Sequence, residues 1–338
     1  MASNVFNGTG SYLIFAEDTA FGTAGTPTGS NYVDKTSTTS YSITNNFVRS
    51  HGIGEGRNAT QAVPGGLDVS GSTEFELTDP DFLKYCVIGL VTGSGTVGSP
   101  YLITEASDLG YSASTVNTLT LEVGSIGDTA DVMTFDGCAI NSWSLSGTAD
   151  ETIKGSFEWL GRQATSSTSS VTYVPPSNPP MTFQAGALSV AGDTVGKLVS
   201  FELTSENNLG VYRTLGSRLI NQPVAGIRRY DFTVTVKMNY DDAASTLNAV
   251  ELRALAMGGL TTSTTCSDVM SWDGKAMSFV LTEGAVAGDR VITVNLADCY
   301  FENPSASYDV ETQAIELTVS GFALGGTSSI PIQWYTVS

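Results

Sequence analysis

The chain has 338 residues, and its 34 acidic against 15 basic side chains leave a formal charge of −19. That length suits roughly two domains of ~150 residues, and the acidity excludes a general nucleic-acid binder, which would show a basic stripe. Only 14% of residues are charged, which makes halophilic adaptation a minor explanation of the imbalance.

Met1-Ala-Ser-Asn lacks the basic and apolar regions of a secretory signal, and no apolar run nears the ~20 residues of a membrane span. The expectation is a soluble protein made in the cytoplasm, in which the glycosylation-like Asn7-Gly-Thr and Asn58-Ala-Thr carry no weight. Residues 1 to about 40 are rich in Gly, Ser and Thr and read as an extended arm. A strand is predicted over 41–47, with Asn45-Asn46 near its end. A long loop over 51–66 follows, and loops of that length are uncommon without a function. An alternating strand over 67–77 then leads to a helix, with Asp79 as N-cap, Pro80 at the first helical position, and Leu83, Cys86, Val87 and Leu90 on one face. Next comes a hairpin: Leu119-Thr-Leu121, Gly124, Gly127-Asp128, Met133-x-Phe135, Cys138 and a closing strand to Gly161. Trp143 and Trp159 are assigned to the core, because Trp159 alternates in phase with Phe157.

Val174-Pro-Pro-Ser-Asn-Pro-Pro180 forbids a helix or central strand and favours a stiff connector. The order then repeats. A strand over 201–209 carries Asn207-Asn208, a loop over 213–229 contains Pro223, and a strand over 230–240 alternates throughout. A helix capped by Ser245 or Thr246 presents Leu247, Val250, Ala254 and Met257, and Gly258-Gly259 ends it. A second hairpin runs through Phe279-x-Leu281, Gly284, Gly288-Asp289, Val294-x-Leu296 and Cys299 to Gly321. Gly124 and Gly284 are as far apart as Gly161 and Gly321, and Cys138 and Cys299 one position farther. A period near half the chain predicts a duplicated domain instead of a short-period solenoid. The expected organisation is a domain over 1–174, a linker over 175–180 and a domain over 181–338, mainly β throughout.

No constellation for chemistry emerges. Cys86, Cys138, Cys266 and Cys299 are far apart without a zinc spacing, and read as small buried hydrophobes. His51 is the only histidine, and Gly52-x-Gly54-x-Gly56 beside it is followed by no Gly-Lys-Ser/Thr and opens no helix. Asp79/Asp81 and Asp241/Asp242 lie at helix starts, where carboxylates satisfy N–H groups and the helix dipole. No EF-hand spacing occurs. Catalytic, cofactor and metal sites are therefore not expected.

Glu17-Asp-Thr-Ala-Phe-Gly-Thr23 is similar to the Glu-x-Thr-x-aromatic-Gly-Thr opening of tail tube proteins of long-tailed, siphovirus-type bacteriophages, and the order of elements in both halves resembles that family. The resemblance implies a β-sandwich flanked by one short helix, here twice in tandem, that assembles into stacked rings forming a hollow virion tail through which DNA is ejected. A duplicated member would build trimeric, pseudo-sixfold rings and meet the tape measure, tail terminator and tail tip, without a cofactor or membrane. DNA would slide past without specific binding if the lumen wall were acidic. The polar faces of the alternating strands supply Asp68, Glu74, Glu76, Glu158, Asp231 and Glu316 as lumen candidates, with Lys154 and Lys237 as exceptions. Arg49, Arg57, Arg213, Arg218, Arg228 and Arg229 fall in or beside the two matched loops, and are expected to set ring-to-ring register through carboxylates of the next ring. A decoration or baseplate protein would have a similar composition. A carbohydrate-binding or adhesin-like module would want a secretion signal and an aromatic cleft or calcium cluster, and a hydrolase would want a base–nucleophile pair.

Overall fold

The computed structural model describes residues 10–50, 61–96, 99–105, 117–125, 128–167, 171–183, 186–238, 246–258, 274–283, 289–308, 315–324 and 332–336. Alternating sequence becomes pleated strand in both halves. The first contains β1 (Ser11–Glu17), β2 (Lys35–Ser50), β3 (Gln61–Glu76), a 3-10 turn (Pro80–Phe82) running into α1 (Leu83–Cys86), β4 (Gly89–Thr92), β5 (Tyr101–Glu105), β6 (Leu119–Ser125), β7 (Asp128–Thr148), β8 (Lys154–Gly161) and β9 (Gln163–Ser167). The second contains β10 (Gly186–Val190), β11 (Asp193–Val195), β12 (Leu198–Glu206), β13 (Arg229–Lys237), β14 (Thr246–Leu247), α2 (Ala249–Gly258), β15 (Lys275–Thr282), β16 (Arg290–Ser307), β17 (Glu316–Leu324) and β18 (Ile332–Thr336).

The strands pair antiparallel in the order β2-β3-β8-β7-β12-β13-β17-β16, a run that crosses both halves without interruption. β7 and β16 are long enough to serve a second layer as well. The first stretch of β7 pairs with β6 and β9, and β6 with β1. The first stretch of β16 pairs with β15 and β18, and β15 with β10. β5, from the first half, adds to the other edge of β18 and carries β4 beside it.

Apolar faces of these layers meet in one continuous cluster holding Leu121, Phe135, Phe157 and Trp159 together with Phe232, Leu252, Phe279 and Phe301. The Phe135 and Trp159 rings lie 4.9 Å apart, and Phe201 and Phe279 are equally close. Each large side chain fully buried here contributes about 1.5–3 kcal/mol. Trp143 is buried too. Cys86, Cys138 and Cys299 are free and buried, and burial raises each thiol, that of Cys299 to about 12. Cys138 and Cys299 each donate Sγ–H to the carbonyl three residues earlier, of Phe135 and Leu296.

Several elements differ from the sequence expectation. Residues 11–17 are no arm: Tyr12, Leu13, Ile14 and Ala16 are buried where β1 pairs along the whole of β6. The strand expected at 41–47 starts at Lys35, and β3 starts at Gln61, which turns 61–66 of the expected loop into strand with Pro64 opposite Phe47. The first helix has only four α-helical residues. Leu90 belongs to β4, whose ladder to β5 takes over the chain after Ile88. Asp79 still accepts the Asp81 N–H at 3.3 Å, but Asp34 does more, taking both donors of Thr78 and the Asp79 N–H at 3.1, 2.7 and 2.6 Å. In the second helix Thr246 belongs to β14 and the cap is Asn248. Its Oδ1 accepts the N–H groups of Val250 and Glu251, while Glu251 Oε2 accepts that of Asn248, a reciprocal capping box. The buried residues of the helix are Ala249, Leu252, Leu255 and Ala256 together with the expected Ala254, while Val250 and Met257 are half-buried. Gly124 lies inside β6 opposite Val132. His51, Gly52, Gly54, Gly56, Arg57, Gly127, Asp241, Asp242, Ser245, Gly259, Cys266, Gly284 and Gly288 lie outside the described residues.

Candidate functional site

Directly opposed residues in an antiparallel ladder point to the same side of the sheet, so the registers trace the faces of the long run. One row reads Glu74, Ser156, Ser144, Thr204, Asp231, Phe322, Tyr300. The next reads Glu76, Lys154, Ser146, Glu202, Thr233, Ser320, Glu302. Between them lies a row of the opposite face, Phe75, Gly155, Leu145, Leu203, Phe232, Gly321, Phe301, and it faces the core.

The polar face carries each of the six acidic residues named from the sequence as lumen candidates. Asp68 and Glu74 are six residues apart on β3, Glu158 lies opposite Ser72, and Glu316 lies opposite Lys237. Asp68, Glu74, Glu158, Asp231 and Glu316 are exposed and Glu76 is half-buried. Glu202, Glu206 and Glu302 belong to the same face and were missed. The alternation of Phe201-Glu-Leu-Thr-Ser-Glu206 carried the signal for the first two, whereas a register shift within β16 hid the third. Lys154 and Lys237 interrupt the face as anticipated, Arg229 opposite Glu206 is a third base, and Lys35 pairs with Glu76 at 3.0 Å. Hydroxyls fill the space between charges: Ser144 and Ser156 bond at 2.7 Å, Ser40 and Ser72 at 2.8 Å, and Ser142 donates to Glu158 at 3.0 Å.

The arginines divide into groups. Arg213, in the loop before β13, pairs with the Asp68 carboxylate and donates to the Leu67 carbonyl at 2.9 Å. Arg218 donates to the Gly65 carbonyl at 2.7 Å and to Asn45 Oδ1 at 2.9 Å, and its own carbonyl accepts the Leu67 N–H at 2.9 Å. The loop of the second half thus clasps the β2–β3 hairpin of the first. Arg228 donates to Asn207 Oδ1 at 3.0 Å. Arg49 and Arg229 are exposed.

Asn207 is the residue at this junction that sequence reasoning saw only as half of an Asn pair. It is buried, its Nδ2 donates to the Cys86 and Ile140 carbonyls at 3.1 and 2.9 Å, and its N–H donates to the Asn141 carbonyl at 2.7 Å. One amide therefore joins the end of β12 to α1 and β7.

The Glu17–Thr23 motif also acquires a physical role. Glu17 accepts from Lys84 Nζ and the Tyr85 hydroxyl at 3.0 and 3.1 Å. Asp18 accepts from the Thr120 hydroxyl at 2.6 Å, and burial raises its carboxyl above the usual range. Gly22 has φ +72, and a Cβ there would meet Arg162 Nη1 at 2.6 Å; that guanidinium donates to the Gly22 carbonyl at 3.2 Å. The motif anchors the turn after β1 to β6 and to the end of β8.

Among the described residues no group of three or more His, Cys, Asp or Glu side chains could hold a metal, and no helix is long and apolar enough to cross a membrane. No curated protein matches the chain. A family model described as phage tail tube protein matches residues 8–318, nearly the whole mainly β chain just described. The chain therefore belongs to the phage tail tube protein family, a structural component of the virion tail.

Proposed function

We propose that three copies of this chain close into a ring, that rings stack into a hollow tail tube, and that the polar sheet face lines the channel through which DNA leaves. The observation that carries this reading is the polar face, acidic in balance, that runs across strands of both halves. Phosphates held by basic walls would release counterions and stick, whereas an acidic, hydroxyl-rich wall repels them.

The strand order β2-β3-β8-β7 of the first half recurs as β12-β13-β17-β16 in the second, and supports reading 1–174 and 181–338 as copies of one β-sandwich joined by 175–180. Two copies per chain make three chains equivalent to a sixfold ring, and closure covers the sheet edges left at β2 and at the end of β16. The segments 51–60 and 213–228 would then set ring-to-ring register, the Arg213 and Arg218 clasp holding the hairpin in place. Tape measure, tail terminator and tail tip proteins are the partners this role requires. Negative-stain microscopy with mass measurement tests the reading: hollow rings of three chains are expected, and six chains per ring, or monomers alone, overturn it.

A further inference from the structure

β2 and the last stretch of β16 are the outer strands of the long run. Among the described residues β2 pairs with β3 alone, and β16 from Phe301 to Ser307 pairs with β17 alone. Apolar side chains stand exposed at both places. The Tyr41 ring lies 5.0 Å from that of Phe135 yet is 43% exposed, Ile43 is 38% exposed, and Tyr308, directly after β16, is 67% exposed. Unpaired edges with apolar side chains beside them are surfaces built for another strand.

Edges of the same two kinds are already joined in the middle of the chain, where β12 pairs with β7. The ladders relate the outer strands to this inner pair. Val69 lies opposite Gly161 and Phe232 opposite Gly321. Ile43 is opposite Val69 as Leu203 is opposite Phe232, and Tyr41 stands two residues earlier on β2 as Phe201 does on β12. On the other side, Trp143 is opposite Phe157, four residues before Gly161, and Ala306 is opposite Leu317, four before Gly321. Leu145 and Tyr308 each come two residues later, on the same side by alternation. Leu203 and Leu145 are directly opposed and buried, and Phe201 is buried beside them. This row is core inside the chain, and its counterparts at the two ends face solvent. The extent of the inner ladder matches too. It stops at Ser142, opposite Glu158; the counterpart is Ser305, opposite Thr318, and Pro304 just before it has no N–H to carry a ladder farther.

We propose that β2 of one copy adds to the free side of β16 of the adjacent copy in the same ring, with Ile43 opposite Tyr308 as Leu203 lies opposite Leu145 inside the chain. The pairing rests on the duplicated, ring-forming reading above, and adds to it the register and the apolar anchors of the lateral contact. The occupant of each edge is a second copy of this chain, because every copy has left over at its ends the two surfaces that its middle joins. A head-to-tail contact of this kind generates a ring when its rotation closes. Register is decisive here, since a slip of one residue would turn Tyr41 and Ile43 to the polar face.

The test uses full-length I43C, Y308C and A306C variants, mixed in pairs, assembled and oxidised, so that a link requiring both members of a mixture joins two chains. Linked species are read on a non-reducing gel, rings by mass photometry across concentration, and folding by thermal melting. I43C with Y308C is expected to give a linked dimer that neither gives alone. I43C with A306C should give roughly fivefold less, since diagonal neighbours stand ~7–8 Å apart, too far for a bridge. I43D and Y308D are expected to melt as the wild type does but to need roughly tenfold more protein to form rings, because each side chain is exposed in the single copy and buried in the contact. Wild-type rings without the I43C–Y308C link, with an equal link to A306C, or matched by unimpaired I43D and Y308D, overturn the pairing alone. No rings from the wild-type chain overturns the ring reading and this pairing with it.

Discussion

Asp34 is the residue where burial and bonding oppose each other most plainly. Burial raises its carboxyl from 3.8 to about 7, and the negative charge of Asp79 adds to that, while three donors from Thr78 and Asp79 pull the other way. A folded-state value above the unfolded one means that the fold favours the protonated acid. Its contribution is fully present below about pH 4 and is lost as pH rises through about 7. Asp34→Asn removes that titration while keeping an acceptor for the same donors. Its melting temperature relative to wild type should therefore climb between pH 5 and pH 8. Asp81, raised to about 6, and Arg290 remain in both proteins and cancel in the difference. A difference independent of pH would show that Asp34 stays ionised in the fold.

At the scale of elements, the decisive joint is the end of β12. Its ladder to β7 supplies backbone bonds, but strand pairing alone leaves the chain after Glu206 undirected. Asn207 fixes that direction by satisfying two carbonyls of the first half and accepting from Arg228 of the loop that follows. Asn207→Ala would strand these groups in a buried site, and unsatisfied buried partners cost ~1–3 kcal/mol each. We expect a loss of about 3 kcal/mol in denaturant unfolding, and faster proteolysis in the 210–228 loop that Asn207 organises. Unchanged stability would mean that the ladder holds the joint by itself. The short α1 makes the same point from the other side. It ends after four residues because β4 is drawn into a ladder with β5, which itself completes the sheet of the second half at β18.

For the whole molecule, the acidic balance of −19 and the acidic face belong to one argument about transit. Replacing Glu74, Glu158 and Glu202 by Lys places six added bases' worth of charge change on that face while leaving the core row untouched. Assembled rings should still form, but short double-stranded DNA should now be retained in a salt-dependent way, the slope growing by roughly 0.9 for each phosphate neutralised. Rings of the variant that ignore DNA at low salt would show that this face is not the channel wall. Elongation is a separate property. Arg213 and Arg218 are held by the β2–β3 hairpin of their own chain, Arg228 by Asn207, and Arg229 belongs to the polar face, so Arg57 is the better probe of stacking. Changing it to Glu should give rings of normal mass that fail to lengthen into tubes in electron micrographs. Tubes of normal length would take ring-to-ring register away from that side chain.

Local pattern in the sequence was enough for the mainly β class, for the polar and apolar sides of β3, β8, β13 and β17, and for the cysteines and tryptophans of the core. A strand's two faces follow from a period of two, whatever it pairs with. That is why Asp68, Glu74, Glu158, Asp231 and Glu316 could be grouped before any partner strand was known. Local pattern was silent where a distant partner decides the outcome. Residues 11–17 look like an arm until β6, more than a hundred positions later, covers them, and 61–66 become strand only because β2 continues past Asn46. Neither the cap at Asn248 nor the hold of Arg213 on Asp68 follows from propensity, since several nearby residues could serve each purpose. Hydrophobic alternation is written residue by residue, but pairing, register and the second partner of a long strand are settled by which edges meet, and that is a property of the folded chain alone.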